Sequence, residues 1–183
     1  MSIEPWFPIR TDRLLLRDFR REDFDDVHVY GQDPEVARYM PWGPNTPEQT
    51  REFLEKALVQ QGTLPRFDFG FAIEHEGKVV GAVALHLRDV ANRTVELGYC
   101  LASAHWRRGI VSEAAHALVD AGFRKLGLHR IFATCDARNT GSFGVMEKIG
   151  MRREGLMLSE RQTKGEWRDT YLYAVLAGEW LAR

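Results

Sequence analysis

Apolar residues recur along this chain in two rhythms, every second position in some stretches and every third or fourth in others. The switches between them mark out the elements. Alternation over residues 11–18 predicts a first strand that ends at charged residues. Residues 21–31 carry Phe24, Val27 and either Val29 or Tyr30 on one side, a helix closed by Gly31. A short helix is expected from Pro34, with Val36 and Tyr39 inward, and Met40-Pro41-Trp42-Gly43-Pro44 is a turn. Thr46, Pro47 and Gln49 supply an N-cap, a first-turn proline and the return half of a capping box for a helix to about Gln61, where Gly62 ends it. Phe67, Phe69, Phe71 and Ile73 alternate as a strand, Glu76-Gly77 turns, and residues 78–86 return. After a turn at residues 88–93 comes a third strand, Thr94–Leu101.

The second half reads as a helix at 112–126 stopped by Gly127, a strand at 128–135, a helix at 142–149 ended by Gly150, and a strand at 151–160. A polar loop at 161–167 then leads to a last strand at 169–177. About seven strands, mostly antiparallel, with helices between them predict a mixed α/β sheet flanked by helices. No repeat, low-complexity tract or linker interrupts this order, so residues 1–183 are expected to form a single domain.

Between the strand Thr94–Leu101 and the helix that follows lies Trp106-Arg107-Arg108-Gly109-Ile110-Val111-Ser112. A glycine-bearing turn at the mouth of a helix presents unpaired N–H groups together with the positive end of the helix dipole. That arrangement seats a phosphate or diphosphate, each charge-assisted hydrogen bond contributing roughly 1.5–3 kcal/mol. The same residues also describe an ordinary strand-to-helix turn with two solvated arginines, and local sequence leaves both readings open.

Composition removes other classes. Twenty-five basic residues stand against 26 acidic, a net charge of −1 without long runs of either sign. Strong binding to nucleic acid or to an anionic membrane is not indicated. The start, Met1-Ser2-Ile3-Glu4-Pro5, lacks a basic and an apolar leader region, and nowhere do about 18 apolar residues run together; a cytoplasmic location is the expectation. Cys100 and Cys135 lie in apolar strands outside any metal-type spacing and read as buried thiols. The six histidines are scattered, so no metal is expected, and both the dinucleotide fingerprint and the Walker pattern are missing.

The segment from Trp106 to Ala114 resembles the acyl-CoA diphosphate loop of the GNAT N-acetyltransferases, Gln/Arg-x-x-Gly-x-Gly/Ala, and within them the RimJ/RimL branch, the ribosomal-protein N-terminal acetyltransferases. Trp106 takes the first position, Gly109 the fourth and Val111 the sixth. Val111 departs from the family's Gly or Ala, and its branched side chain is expected to crowd the diphosphate while leaving the amides available. A second segment, Asn139-Thr140-Gly141-Ser142 followed by Glu147-Lys148-Ile149-Gly150-Met151, resembles the family's Asn-x-x-Ser…Glu-Lys-x-Gly-Phe. Two matches in the family's order extend the resemblance over roughly residues 11–177.

The resemblance implies a GNAT fold with a splayed strand pair and transfer of an acetyl group from acetyl-CoA to a primary amine by direct attack in a ternary complex. It assigns cofactor contacts to Tyr99, Cys100 and Leu101 on the splayed strand, to Trp106, Arg107, Arg108, Gly109, Ile110, Val111 and Ser112 in the loop, and to Asn139 and Ser142; Arg138 is a further candidate for the phosphates. Glu96, on the strand entering the loop, is the candidate base, acting through water, although a strand-surface glutamate paired with Arg93 or another cation reads the same. Glu113 is the rival acid, but first-turn acidic residues stabilise helices on their own account, and it is read as structural. Where many members carry a tyrosine acid this chain has Met146, which cannot donate a proton. Ser142 is the remaining hydroxyl in the segment, and the resemblance to RimL-like enzymes implies it as the catalytic donor to the leaving thiol, while a helix cap or a cofactor contact reads the same. Trp42, in the proline-rich turn, is the candidate acceptor contact or, equally, a core plug.

The acceptor expected is a protein N-terminal α-amine. With a pKa of about 7.7–8.0 it is roughly 10–20% neutral at pH 7, whereas a lysine-type amine near 10.4 is almost wholly charged. A small amine such as a polyamine or an antibiotic is the alternative acceptor, and a non-catalytic acyl-CoA sensor the alternative class. Oligomeric state stays open, although members of the family are often homodimers.

Overall fold

The computed structural model describes residues 7–183; the segment Met1 to Pro5, read above for a leader, lies outside them. Among the described residues eight strands form one sheet: β1 (Ile9–Arg10), β2 (Leu14–Arg17), β3 (Asp68–His75), β4 (Lys78–Asp89), β5 (Thr94–Leu101), β6 (Arg130–Asp136), β7 (Arg152–Thr163) and β8 (Glu166–Leu176). Their spatial order is β1-β2-β3-β4-β5-β6-β8-β7, antiparallel throughout except for the parallel pair β5–β6. The helices are α1 (Phe24–Gly31), α2 (Pro34–Ala37), α3 (Pro47–Gly62), α4 (Ile110–Leu126), α5 (Thr140–Lys148) and α6 (Ala177–Leu181).

The sheet is covered on both faces because its inner strands alternate two apolar sets. Phe71, Ile73, Val83, Leu85, Val95 and Leu97 pack with Ile110, Ala114, Leu118 and Phe123 of α4. The intervening positions, Ala72 among them, pack with Val27 and Tyr30 of α1 and Leu54 of α3. Of the two α1 alternatives, Tyr30 is buried, while Val29 is 61% exposed. The capping box of α3 forms as expected: the Thr46 hydroxyl accepts from the Gln49 amide, and the Gln49 side chain accepts from the Thr46 amide.

Two expectations need correction, and one helix was not foreseen. The strand predicted at 11–18 is a small hairpin, because the Thr11 hydroxyl accepts from the Leu14 amide and folds the chain between β1 and β2. The polar loop predicted at 161–167 is mostly strand. Lys164 and Gly165, with φ of 50° and 83°, make a two-residue turn that joins β7 directly to β8. The helix α6 closes the described chain and buries Trp180, although no long periodic pattern announces it.

What positions the site is the end of the parallel pairing. β5 and β6 are paired only at Thr94–Arg130, Val95–Ile131 and Glu96–Phe132. Beyond that point β5 stays with β4 and β6 stays with β8, so a wedge opens between two neighbouring strands. Gly81 of β4 stands opposite Leu101 at the wide end, where a Cβ would collide with the Cys100 carbonyl oxygen. Only glycine allows the two backbones to run this close.

Candidate active site

The wedge exposes main-chain donors by simple alternation. The Ala102 amide donates to the Val80 carbonyl (2.8 Å), so Cys100 and Gly98, in step with it, turn their main-chain groups toward β4. Leu97, Tyr99 and Leu101 turn theirs toward the side from which β6 has departed. Of the three consecutive candidates, Tyr99 and Leu101 therefore present amides to the wedge, and Cys100 gives its own to the ladder. The Leu101 carbonyl is taken by the Trp106 indole N–H (2.8 Å), which folds the following loop back over the strand end and leaves the ring 42% exposed.

Past Trp106 the chain makes two left-handed turns, at Arg107 (φ 61°) and Gly109 (φ 75°), before entering α4. The first helical bond near this end runs from the Glu113 amide to the Gly109 carbonyl (3.0 Å). The amides of Ile110, Val111 and Ser112 precede it and have no helical acceptor, and among the described residues those of Arg107, Arg108 and Gly109 have no backbone acceptor either. Successive free amides in such turns form an anion-binding concavity. Val111 does not crowd it: its side chain packs against the core under α4, and Ile110 is buried there as well.

An open cleft of about 520 Å³ lies over these amides, lined by Arg13, Arg107, Arg108, Gly109, His116 and Lys148 among others. A Cβ built on Gly109 would stand 3.5 Å from Lys148 Nζ and 3.6 Å from Arg13 Nη2, so the glycine faces two cations at once. Among the described residues Arg107, Arg108 and Lys148 have no carboxylate partner. A row of unpaired amides beneath unpaired cations fits a diphosphate. Arg13 and Lys148 were not recognised from sequence as part of this cleft. Lys148 is an exposed charge at the end of α5 with no local pattern pointing at the loop, and Arg13 lies almost a hundred residues from it.

Glu113 holds this corner together and does not face the wedge as a free acid. Its carboxylate accepts from the Thr11 hydroxyl (2.6 Å), the Arg13 amide (3.2 Å) and Arg13 Nε (2.7 Å). Burial opposes its charge, but the Thr11 hydroxyl and the Arg13 guanidinium outweigh burial and hold the carboxyl below its ordinary range. Arg138 is likewise committed elsewhere, with Nε and Nη2 on Asp136 at 3.1 and 3.0 Å. Trp42 is half-buried against the cluster containing Val27 and Tyr30 and does not line the cleft.

Glu96 stands at the last β5–β6 pair, where the wedge begins. Its carboxylate is gripped by Arg88 (2.7 and 2.9 Å) and accepts from the Thr134 hydroxyl (3.0 Å). The cation is Arg88 and not Arg93, within the alternative of Arg93 or another cation that the sequence left open. On the opposite face of β5, Tyr99 reaches across the wedge to α5: its Oη donates to the Ser142 carbonyl (2.8 Å) and lies 3.2 Å from Ser142 Oγ. Asn139 caps α5 by accepting from the Ser142 amide (3.1 Å), which fixes that serine at the mouth of the wedge. Burial pushes the Cys135 thiol up to about 11, against a smaller opposing contribution from the Ser142 hydroxyl, and pushes Cys100 up to about 12. Neither thiol is a ready nucleophile.

The sequence and the fold are similar to those of known proteins. The profile of the acetyltransferase (GNAT) domain matches residues 13–152. The chain is 36% identical over 172 residues to the uncharacterized N-acetyltransferase YnaD of Bacillus subtilis, covering 94% of this chain and 98% of that one. The crystal structure of a GNAT-family acetyltransferase from Bacillus anthracis superposes with a TM-score of 0.83 at 38% identity, over 93% of this chain and 99% of that one. RimL, the ribosomal L7/L12 alpha-N-protein acetyltransferase, solved in complex with coenzyme A as a CoA–cysteine disulfide, shares the fold with a TM-score of 0.82 at 19% identity, over 92% and 97% of the two chains. The chain belongs to the GNAT acetyltransferases and is an N-acetyltransferase that takes acetyl-CoA.

Proposed function

We propose that this enzyme acetylates protein N-terminal α-amines, as a RimJ/RimL-type transferase in which residues 1–183 act as one catalytic domain. The observation that carries this reading is the commitment of Glu96: at the start of the wedge its carboxylate is already ion-paired to Arg88 and hydrogen-bonded by Thr134, so it is engaged before any amine arrives. An α-amine, already roughly 10–20% neutral at pH 7, needs little help in losing its proton, whereas a lysine-type or polyamine nitrogen near pKa 10.4 needs far more. Two unpaired, partly buried thiols suit the reducing cytoplasm.

Acetyl-CoA supplies an acetyl thioester. The amides of residues 107–112, with Arg107, Arg108, Lys148 and Arg13, hold its diphosphate and fix the direction in which the arm enters the wedge. The free amides of Tyr99 and Leu101 are donors for the thioester oxygen as negative charge develops on it. Glu96 receives the proton shed by the attacking amine through a bridging water. Ser142 donates a hydrogen bond to the sulfur as it leaves. A CoA-type thiol with a pKa near 8.5 needs only such mild assistance.

The test is release of free thiol from acetyl-CoA in the presence of three acceptors: a peptide with a free N-terminus and no lysine, the N-blocked peptide with one lysine, and spermidine. The reading expects turnover with the first and at least tenfold less with the others. Preference for spermidine would replace it with a small-amine activity, and binding of acetyl-CoA without turnover on any acceptor would favour a sensor.

A further inference from the structure

The contact between Tyr99 and Ser142 has two parts that cannot both be supplied by the phenol. Tyr99 Oη lies 2.8 Å from the Ser142 carbonyl and 3.2 Å from Ser142 Oγ, and a phenol carries one proton. The carbonyl only accepts. While the phenol proton is given to it, the second contact is satisfied by the Ser142 hydroxyl donating to Tyr99 Oη. In that state the serine proton points at the phenol and is withheld from the wedge. Turning the phenolic O–H about its C–O bond exchanges the carbonyl for Oγ, and the serine proton is then free to point outward.

We propose that Tyr99 is a positioning residue whose hydroxyl, by moving between these two acceptors, turns the Ser142 proton toward the sulfur of coenzyme A as that sulfur becomes negative. This rests on the reading of Ser142 as the donor to the leaving thiolate. The inward state holds two neutral hydrogen bonds within the pair and the outward state one, so the serine proton stays turned inward while the sulfur is uncharged. A hydrogen bond to an anion is about twice as strong as a neutral one, so charge on the sulfur tips the pair. The donor is therefore strongest where charge develops and idle before, which is the condition for accelerating the chemical step over simple tight binding. Burial of the phenol disfavours its ionised form and so keeps the proton on Tyr99. No proton changes owner within the pair. The sulfur keeps the electron pair of the broken C–S bond, accepts the serine hydrogen bond, and is protonated by water afterwards.

The test uses coenzyme A itself and needs no acceptor. Binding to the wild type is established first by calorimetry. The thiolate absorbance of the bound molecule is then followed with rising pH, as a difference against protein loaded with desulfo-coenzyme A, for the wild type, Tyr99→Phe, Ser142→Ala and the double variant. The proposal expects the sulfur to titrate about one pH unit higher in Ser142→Ala than in the wild type, a tenfold change in its ionisation. It expects titration lower than the wild type in Tyr99→Phe, where nothing withholds the serine proton, with the double variant matching Ser142→Ala. Phenylalanine keeps the ring in place, so a packing role would leave the titration unmoved. A Tyr99→Phe protein that titrates like the wild type overturns the proposal, as do two effects that add in the double variant. If coenzyme A fails to bind the wild type, the cofactor seat itself is wrong and the proposal goes with it.

Discussion

Arg13 and Glu113 are joined across almost the whole length of the fold's first half: Arg13 Nε donates to the Glu113 carboxylate at 2.7 Å, while Arg13 Nη1 donates to the Arg108 carbonyl at 3.1 Å. One guanidinium thus ties the β1–β2 turn both to the first turn of α4 and to the diphosphate loop. The Thr11 hydroxyl completes the hold on the same carboxylate.

Because Glu113 has its folded pKa depressed, the stability it contributes is fully present above the unfolded glutamate value of about 4.3 and is lost as pH falls through the lower folded value. Glu113→Gln should therefore be less stable than the wild type near neutral pH by about 1 kcal/mol, in the range of a charge-assisted hydrogen bond reduced to a neutral one. The gap should close at pH 3 and below. Denaturant unfolding at pH 7 and pH 3 checks this, and a gap independent of pH would show that packing and not charge is responsible.

Lys148 is exposed and unpaired, and it faces Gly109. Replacing it with alanine should weaken acetyl-CoA binding roughly five- to tenfold at low ionic strength, and less in high salt, where exposed charges are screened. The thermal midpoint should stay within a degree or two, since no intramolecular ion pair is broken. Calorimetric titrations at two salt concentrations measure the effect.

Gly109 separates conformational from electrostatic effects. Its φ of 75° strains any side chain, so Gly109→Ala should lose about 1 kcal/mol of stability, yet a methyl group has room, 3.5 Å from its nearest neighbour. Gly109→Glu adds a carboxylate between two cations in the seat. It should abolish measurable acetyl-CoA binding, while Gly109→Ala retains it within about tenfold. Comparable affinity in the two variants would mean that the anion lies elsewhere.

The parts of the fold that the sequence made legible are those specified by local chemistry. Thr94–Leu101 was bounded correctly because its β-branched residues are flanked by turns, and the α3 capping box because Thr46, Pro47 and Gln49 each act within one turn. The hairpin at Lys164-Gly165 was hidden because the strand ends that flank it, residues 159–162 of the edge strand β7 and 166–169 of β8, are largely polar and exposed, so no apolar alternation marks them. In the site, the loop was readable because its glycine and arginines are consecutive. Arg13 and Lys148 were not, since the β1–β2 turn and α5 reach the cleft only through the tertiary fold. The bond from Tyr99 to Ser142 spans forty-three positions and depends on the wedge staying open, which no local pattern records.

The account depends on the main-chain amides beyond Trp106 meeting the diphosphate. A titration of isotope-labelled protein with acetyl-CoA, following individual backbone amides by nuclear magnetic resonance, tests this most directly. The amides of Arg108, Gly109, Ile110 and Val111 should shift by more than any others outside the wedge, and desulfo-coenzyme A, which keeps the diphosphate, should reproduce the shifts. Amides at these four positions that stay still at saturation would contradict the account.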